Sequence, residues 1–135
     1  MNAQEITAYL ESPYIAVVAT VNKNGAPHLT PNWYRYDGKV LTLITCTDRL
    51  KYINLQRDRR ISVCIYDPPV ASNYLVISGT ATRHDQDIWD EARRIIARYR
   101  ASNEVDAYLA RWKIEPRVLI TVTPEWISTR GAGRR

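Results

Sequence analysis

Thr45-Cys46-Thr47-Asp48-Arg49-Leu50-Lys51 gathers hydroxyls and two cations where an apolar, β-rich run stops and a short helical pattern begins. A helix start leaves backbone N–H groups without acceptors and carries the positive end of the helix dipole. Threonine hydroxyls beside the Arg49 guanidinium and the Lys51 ammonium would turn that start into a seat for a phosphate group. The plainer alternative is a capped surface helix with solvated charges. Cys46 lines the same junction, where a buried cysteine also serves packing.

Other chemistry is sparse. No Gly-x-Ser-x-Gly, Walker loop or dinucleotide fingerprint occurs, and there is no His- or Cys-rich set with metal-ligand spacing. His28 and His84 stand alone and read as structural, and Asp37, Asp58 and Asp67 read as turn residues. Any enzyme built this way needs a cofactor to carry its reaction. Aromatic residues support that: Trp33, Tyr34 and Tyr36 follow Pro27 and Pro31, and Tyr74 opens a later strand. Such rings can wall a flat ligand, and backbone freed by proline can hydrogen-bond its edge. Equally, Trp33 and Tyr36 can be core or subunit-interface residues.

The elements that must position these groups follow from pattern. Residues 1–13 hold a short amphipathic helix (2–11) with Asn2 as cap and Ser12-Pro13 as its stop. Residues 14–83 carry five strands: 14–21, 26–36, 39–46, 60–66 and 74–83. The second is an edge or bulged strand because of its prolines, and Asp37-Gly38 turns it into the third. Apolar residues on both faces of 39–46 predict burial on both sides. The phosphate-site helix spans 48–56, capped by Thr47 or Asp48, with Leu50, Ile53 and Leu55 as its apolar side. Gly79 marks a bulge or a close backbone approach. A helical pair covers 85–112, a last strand runs over 117–129, Pro124-Glu125-Trp126 makes a turn, and 130–135 is a flexible tail. Consecutive strands at hairpin spacing predict a mainly β, six-stranded antiparallel barrel with flanking helices, in one domain.

Composition bounds the reading. The 135 residues, 45% hydrophobic and 24% charged, fit one globular domain. A net charge of +5 suits an anionic ligand or nucleic acid, but no block of like charge forms a nucleic-acid arm. No stretch is long and apolar enough for a membrane span. Cys46 and Cys64 read as buried and reduced, which points to the cytoplasm.

Three ordered stretches carry a resemblance. The first is Ala19-Thr20-Val21, Asn24-Gly25-x-Pro27, Thr30-Pro31-Asn32-Trp33-Tyr34 and Asp37-Gly38. The second is Arg49-x-Lys51-x-x-Asn54-Leu55-x-x-Asp58-x-Arg60, and the third Tyr74-Leu75-x-Ile77-x-Gly79-Thr80-Ala81. Together they resemble the split-barrel flavin and deazaflavin reductases of the pyridoxamine 5'-phosphate oxidase-like superfamily. The resemblance implies a split β-barrel working as a homodimer with two cofactor clefts between subunits. It implies that Arg49 and Lys51, with Thr45 or Thr47 and beside Cys46, hold the cofactor phosphate. Asn32, Trp33 and Tyr34 would run along the ring system, and Tyr74 would approach it, from this subunit or the other.

The Pro31-x-Trp33-Tyr34 stretch is similar to the branch that uses the deazaflavin coenzyme F-420. Residues 126–131 lack the histidine of true pyridoxamine phosphate oxidases, which counts against vitamin oxidation. The implied activity is hydride transfer from F-420 to a conjugated, electron-poor small molecule. The alternatives are an FMN-binding reductase or oxidase and a non-enzymatic carrier of the coenzyme.

Overall fold

The structure, a computed structural model, describes residues 1–130; the Gly-Ala-Gly tail expected to be flexible lies outside the described residues, except for Arg130. Seven strands form one antiparallel sheet: β1 (Ala16–Val21), β2 (Pro27–Asn32), β3 (Arg35–Tyr36), β4 (Leu41–Cys46), β5 (Arg60–Tyr66), β6 (Tyr74–His84) and β7 (Arg117–Arg130). Four helices flank it: α1 (Ala3–Leu10), α2 (Leu50–Arg57), α3 (Trp89–Tyr99) and α4 (Val105–Trp112). The sheet order is β2-β1-β5-β6-β7-β4-β3.

That order explains the closure. β2 and β3 are opposite edges of the sheet, yet only Trp33 and Tyr34 separate them in sequence. Two residues span at most about 7–10 Å, so the sheet must curl until its edges nearly meet. The second expected strand is therefore one run broken where it passes from one edge to the other. The split barrel stands, with seven strands instead of six. Pro27 and Pro31 sit on the edge strand, where missing ladder donors cost least.

Two cores share β4, all six residues of which are buried. Leu41 and Leu43 face the barrel interior with Val18, Val63, Ile77 and Ile120, while Ile44 faces a second cluster with Ala92, Ile95, Ile96 and Leu109 of the helical pair. The apolar faces read from the sequence thus have separate partners. Fully burying one such aliphatic side chain contributes roughly 1.5–3 kcal/mol.

Gly79 is a bulge, as expected: the β6–β7 register shifts between Ser78 and Gly79. A Cβ there would lie 1.9 Å from the Thr123 carbonyl oxygen, so only glycine fits. This bulge also accommodates Pro124. Residues 124–126, expected as a turn, continue β7 instead, with Pro124 opposite Gly79 and Trp126 opposite Ser78.

Candidate functional site

α2 is set down by its inward face. Asn54, 1% exposed, donates from Nδ2 to Thr20 Oγ1 (3.1 Å) and Asn22 Oδ1 (3.0 Å), docking the helix on β1 and the turn after it. Lys51 stands three residues earlier and Leu55 one later, so the three share one stripe and all are buried. The expected apolar side fails at two of three positions: Leu50 and Ile53 are exposed at 44% and 49%. The polar Asn54 contacts choose the face, and the lysine goes inside with it.

The helix start differs from expectation in a way that favours an anion. Arg49 is the N-cap, not Thr47 or Asp48, and no side chain caps the helix. The Arg49 N–H donates to the Cys46 carbonyl (3.1 Å) and that of Thr47 to the Pro116 carbonyl (3.2 Å), fixing a tight corner. The N–H groups of the first turn are left without a side-chain acceptor.

Lys51 is 7% exposed and forms no hydrogen bond or ion pair with the described residues. Burial, and then repulsion from Arg49, hold its ammonium below the usual lysine pKa. Arg49 is half-exposed and rests between two acids, Nη1 3.0 Å from Asp48 Oδ1 and Nη2 3.5 Å from Glu115 Oε2. The buried Cys46 thiol donates to the same Glu115 oxygen at 3.1 Å. Burial, and next that contact, push the thiol pKa up, so it stays protonated. Cys46 and Cys64 are both free thiols, but Cys64 is only half-buried.

Beside this corner opens a cleft of about 520 Å³, lined by Ile15, Pro31, Asn32, Trp33, Ile44, Tyr108, Trp112 and Arg117. Trp33 is stacked on Tyr99 (centroids 4.9 Å apart, planes 5° apart) and tilted against Tyr108 and Trp112. Arg117 donates from Nε to the Trp112 carbonyl (2.8 Å), lies over the Trp112 ring, and pairs with Cys46 across β4–β7. The cleft and the cation corner are therefore contiguous through Cys46 and Arg117. An apolar, aromatic slot opening onto a cluster of cations can take a flat ring with an anionic tail.

Several expected site residues fall elsewhere. Tyr34 is fully buried, and its hydroxyl donates to the Leu10 and Ser12 carbonyls (3.1 and 3.0 Å), so its ring cannot flank a ligand. Burial raises its pKa. Thr45 is buried and, by strand alternation, shares the barrel-facing side of β4 with Leu41 and Leu43, away from Cys46. Tyr74 pairs with Arg130 at one end of β7 while Cys46 pairs with Arg117 at the other, roughly 40 Å of strand away. A single chain does not bring Tyr74 to the cleft. Asn32, Trp33, Cys46, Thr47, Arg49 and Lys51 do converge on the cleft and the corner beside it. Tyr108, Trp112, Glu115 and Arg117 went unrecognised. Only the β4–β7 pairing, across some 70 residues of chain, brings the last two to Cys46.

No helix among the described residues is long and apolar enough to cross a membrane. The sequence profile of the pyridoxamine 5'-phosphate oxidase family matches residues 3–131. No curated protein matches. Among solved structures, an F420 reductase is 24% identical (TM-score 0.72; 90% of this chain and 94% of that one). A conserved hypothetical protein from Mycobacterium tuberculosis is 23% identical (TM-score 0.80; 100% and 89%). A putative pyridoxamine 5'-phosphate oxidase from Listeria innocua is 22% identical (TM-score 0.73; 96% and 98%). At these identities the likeness is one of fold.

Proposed function

The chain belongs to the pyridoxamine 5'-phosphate oxidase family, and from that premise we propose that it is an oxidoreductase using a phosphate-bearing, flavin-like coenzyme, F-420 ahead of FMN. Its substrate would be a conjugated, electron-poor small molecule. The observation that carries this reading is Lys51, whose side chain is buried at an uncapped helix start, next to an aromatic cleft, with no hydrogen bond or ion pair among the described residues. An ammonium drawn partly out of water with no counter-ion loses solvation, and an anionic ligand would offset that loss.

In this reading Lys51, Arg49, Thr47 and the first-turn N–H groups of α2 hold the phosphate, with Cys46 beside them. Asn32 and Trp33 line the ring, with Tyr108 and Trp112 on the facing helix. Bound deazaflavin supplies hydride transfer to the substrate. The chain's own part is to bind, orient and keep water from the slot, which Ile15, Pro31 and Ile44 make apolar. Tyr34 is excluded as a proton donor by its buried, carbonyl-bound hydroxyl, which leaves Tyr108 as the tyrosine among the cleft's lining residues. In a homodimer, Tyr74 of the partner subunit would approach the ring.

Titration of the purified protein with F-420 and FMN side by side tests the proposal. The protein should quench the fluorescence of added F-420 with micromolar affinity or better, and the complex should then turn over on a panel of enones and quinones. Tight binding of FMN alone would move the function to a flavin reductase or oxidase. Binding without turnover would leave a carrier, and binding of neither would end the reading.

A further inference from the structure

The anion corner holds acids as well as bases. Cys46 Sγ and one carboxylate oxygen each from Asp48 and Glu115 lie within 4.8 Å of one another. Arg49 is pinned between those acids, Lys51 is buried close by, and Arg117 stands opposite Cys46. Three cations and two carboxylates therefore share the corner, a formal excess of one positive charge, to which the start of α2 adds only the partial charge of its dipole. The cost of desolvating an ion grows with the square of its charge, whereas its attraction to a fixed field grows only in proportion. A corner with one net positive charge neutralises a monoanion and leaves a dianion with charge unanswered beside Asp48 and Glu115.

We infer that this corner selects a singly charged phosphate, a phosphodiester, over a terminal phosphate monoester. The inference rests on the reading that the corner holds the coenzyme's phosphate. It also distinguishes the two coenzymes, since FMN ends in a monoester of charge about −1.5 to −2 at pH 7, whereas F-420 carries a phosphodiester. Asp48 and Glu115 then act as specificity-determining residues through Arg49.

The test compares FMN with its phosphate methyl ester, which has the same ring and one fewer ionisable oxygen, by flavin fluorescence titration, with F-420 alongside. The wild-type protein should bind the methyl ester several-fold more tightly than FMN at pH 7.5, and equal affinity would overturn the selection. Its affinity for FMN should improve as the pH falls through about 6, where the phosphate takes up its second proton. The double variant Asp48→Asn/Glu115→Gln should shift the preference toward FMN by about tenfold, and Glu115→Gln alone by part of that. Both positions are exposed enough (72% and 49%) for the fold to tolerate the changes. An FMN preference that the double variant leaves unmoved would overturn the charge selection while leaving the coenzyme reading intact. Binding of F-420 with neither flavin bound would assign selection to the ring and overturn the inference. Binding of none of the three would overturn the coenzyme reading itself.

Discussion

Two cations in this molecule are treated in opposite ways. Arg98, on α3, donates from Nη1 to the Glu11 carbonyl (3.2 Å) and from Nη2 to those of Leu10 (3.1 Å) and Ser12 (3.2 Å). Its guanidinium also lies 4.8 Å from the Tyr34 ring centre and 5.6 Å from that of Tyr99. Lys51, on α2, is more deeply buried and has no partner of this kind. The first cation ties the end of α1 to the barrel and the helical pair. The second has no hydrogen bond or ion pair among the described residues, which is what a site for an anion requires. A buried cation thus marks a ligand site only where the fold withholds its counter-groups.

Substitutions should separate the two roles. The largest effect is expected for Arg98→Ala, which removes three donor contacts and two ring contacts. It should lower unfolding free energy by about 3 kcal/mol, read by denaturant titration, with coenzyme affinity of the folded fraction unchanged. Lys51→Met should do the reverse. Coenzyme affinity should fall by about 1–3 kcal/mol, while the coenzyme-free protein gains about 1 kcal/mol from losing an unpaired buried charge. Loss of both affinity and stability in that variant would make Lys51 a second Arg98. Arg49→Ala should cost less affinity, about 1 kcal/mol, because Arg49 is half-exposed and already engaged by Asp48 and Glu115.

The smallest effect is in pH dependence. Lys51's pKa in the folded protein is lowered, so between that value and the ordinary lysine pKa the unfolded chain binds more protons. Stability of the coenzyme-free protein should therefore gain an increment as pH rises through this window. The increment should be missing from Lys51→Met, in paired thermal melts at matched pH.

What the sequence disclosed follows a physical line. Features set within one strand or turn were legible: the edge prolines 27 and 31, the bulge at Gly79, the double burial of β4 and the Asn2 cap, whose side chain accepts from the Glu5 N–H. Features set by long-range partners were not. Leu50 and Ile53 looked like the inner face of α2 until the docking of Asn54 on Thr20 and Asn22 put Lys51 inside. Trp33 and Tyr34 are neighbours with separate fates, because the chain crosses from one sheet edge to the other there and sends Tyr34 into the barrel core and Trp33 against the cluster of the helical pair. Pro124 reads as a turn until Gly79 is placed opposite it. Glu115 and Arg117 carry no local signal for a role beside Cys46, since only the β4–β7 register brings them there.

Lys51, then, is a largely buried lysine without a counter-ion among the described residues, placed to meet an anionic coenzyme. The direct measurement is an NMR pH titration of Lys51 in protein labelled at the lysine side chains, assigned by comparison with Lys51→Met. Its pKa should lie below that of the other lysines in the coenzyme-free protein and rise on addition of F-420 or FMN. A Lys51 resonance that titrates like the exposed lysines, or that ignores bound coenzyme, would contradict it.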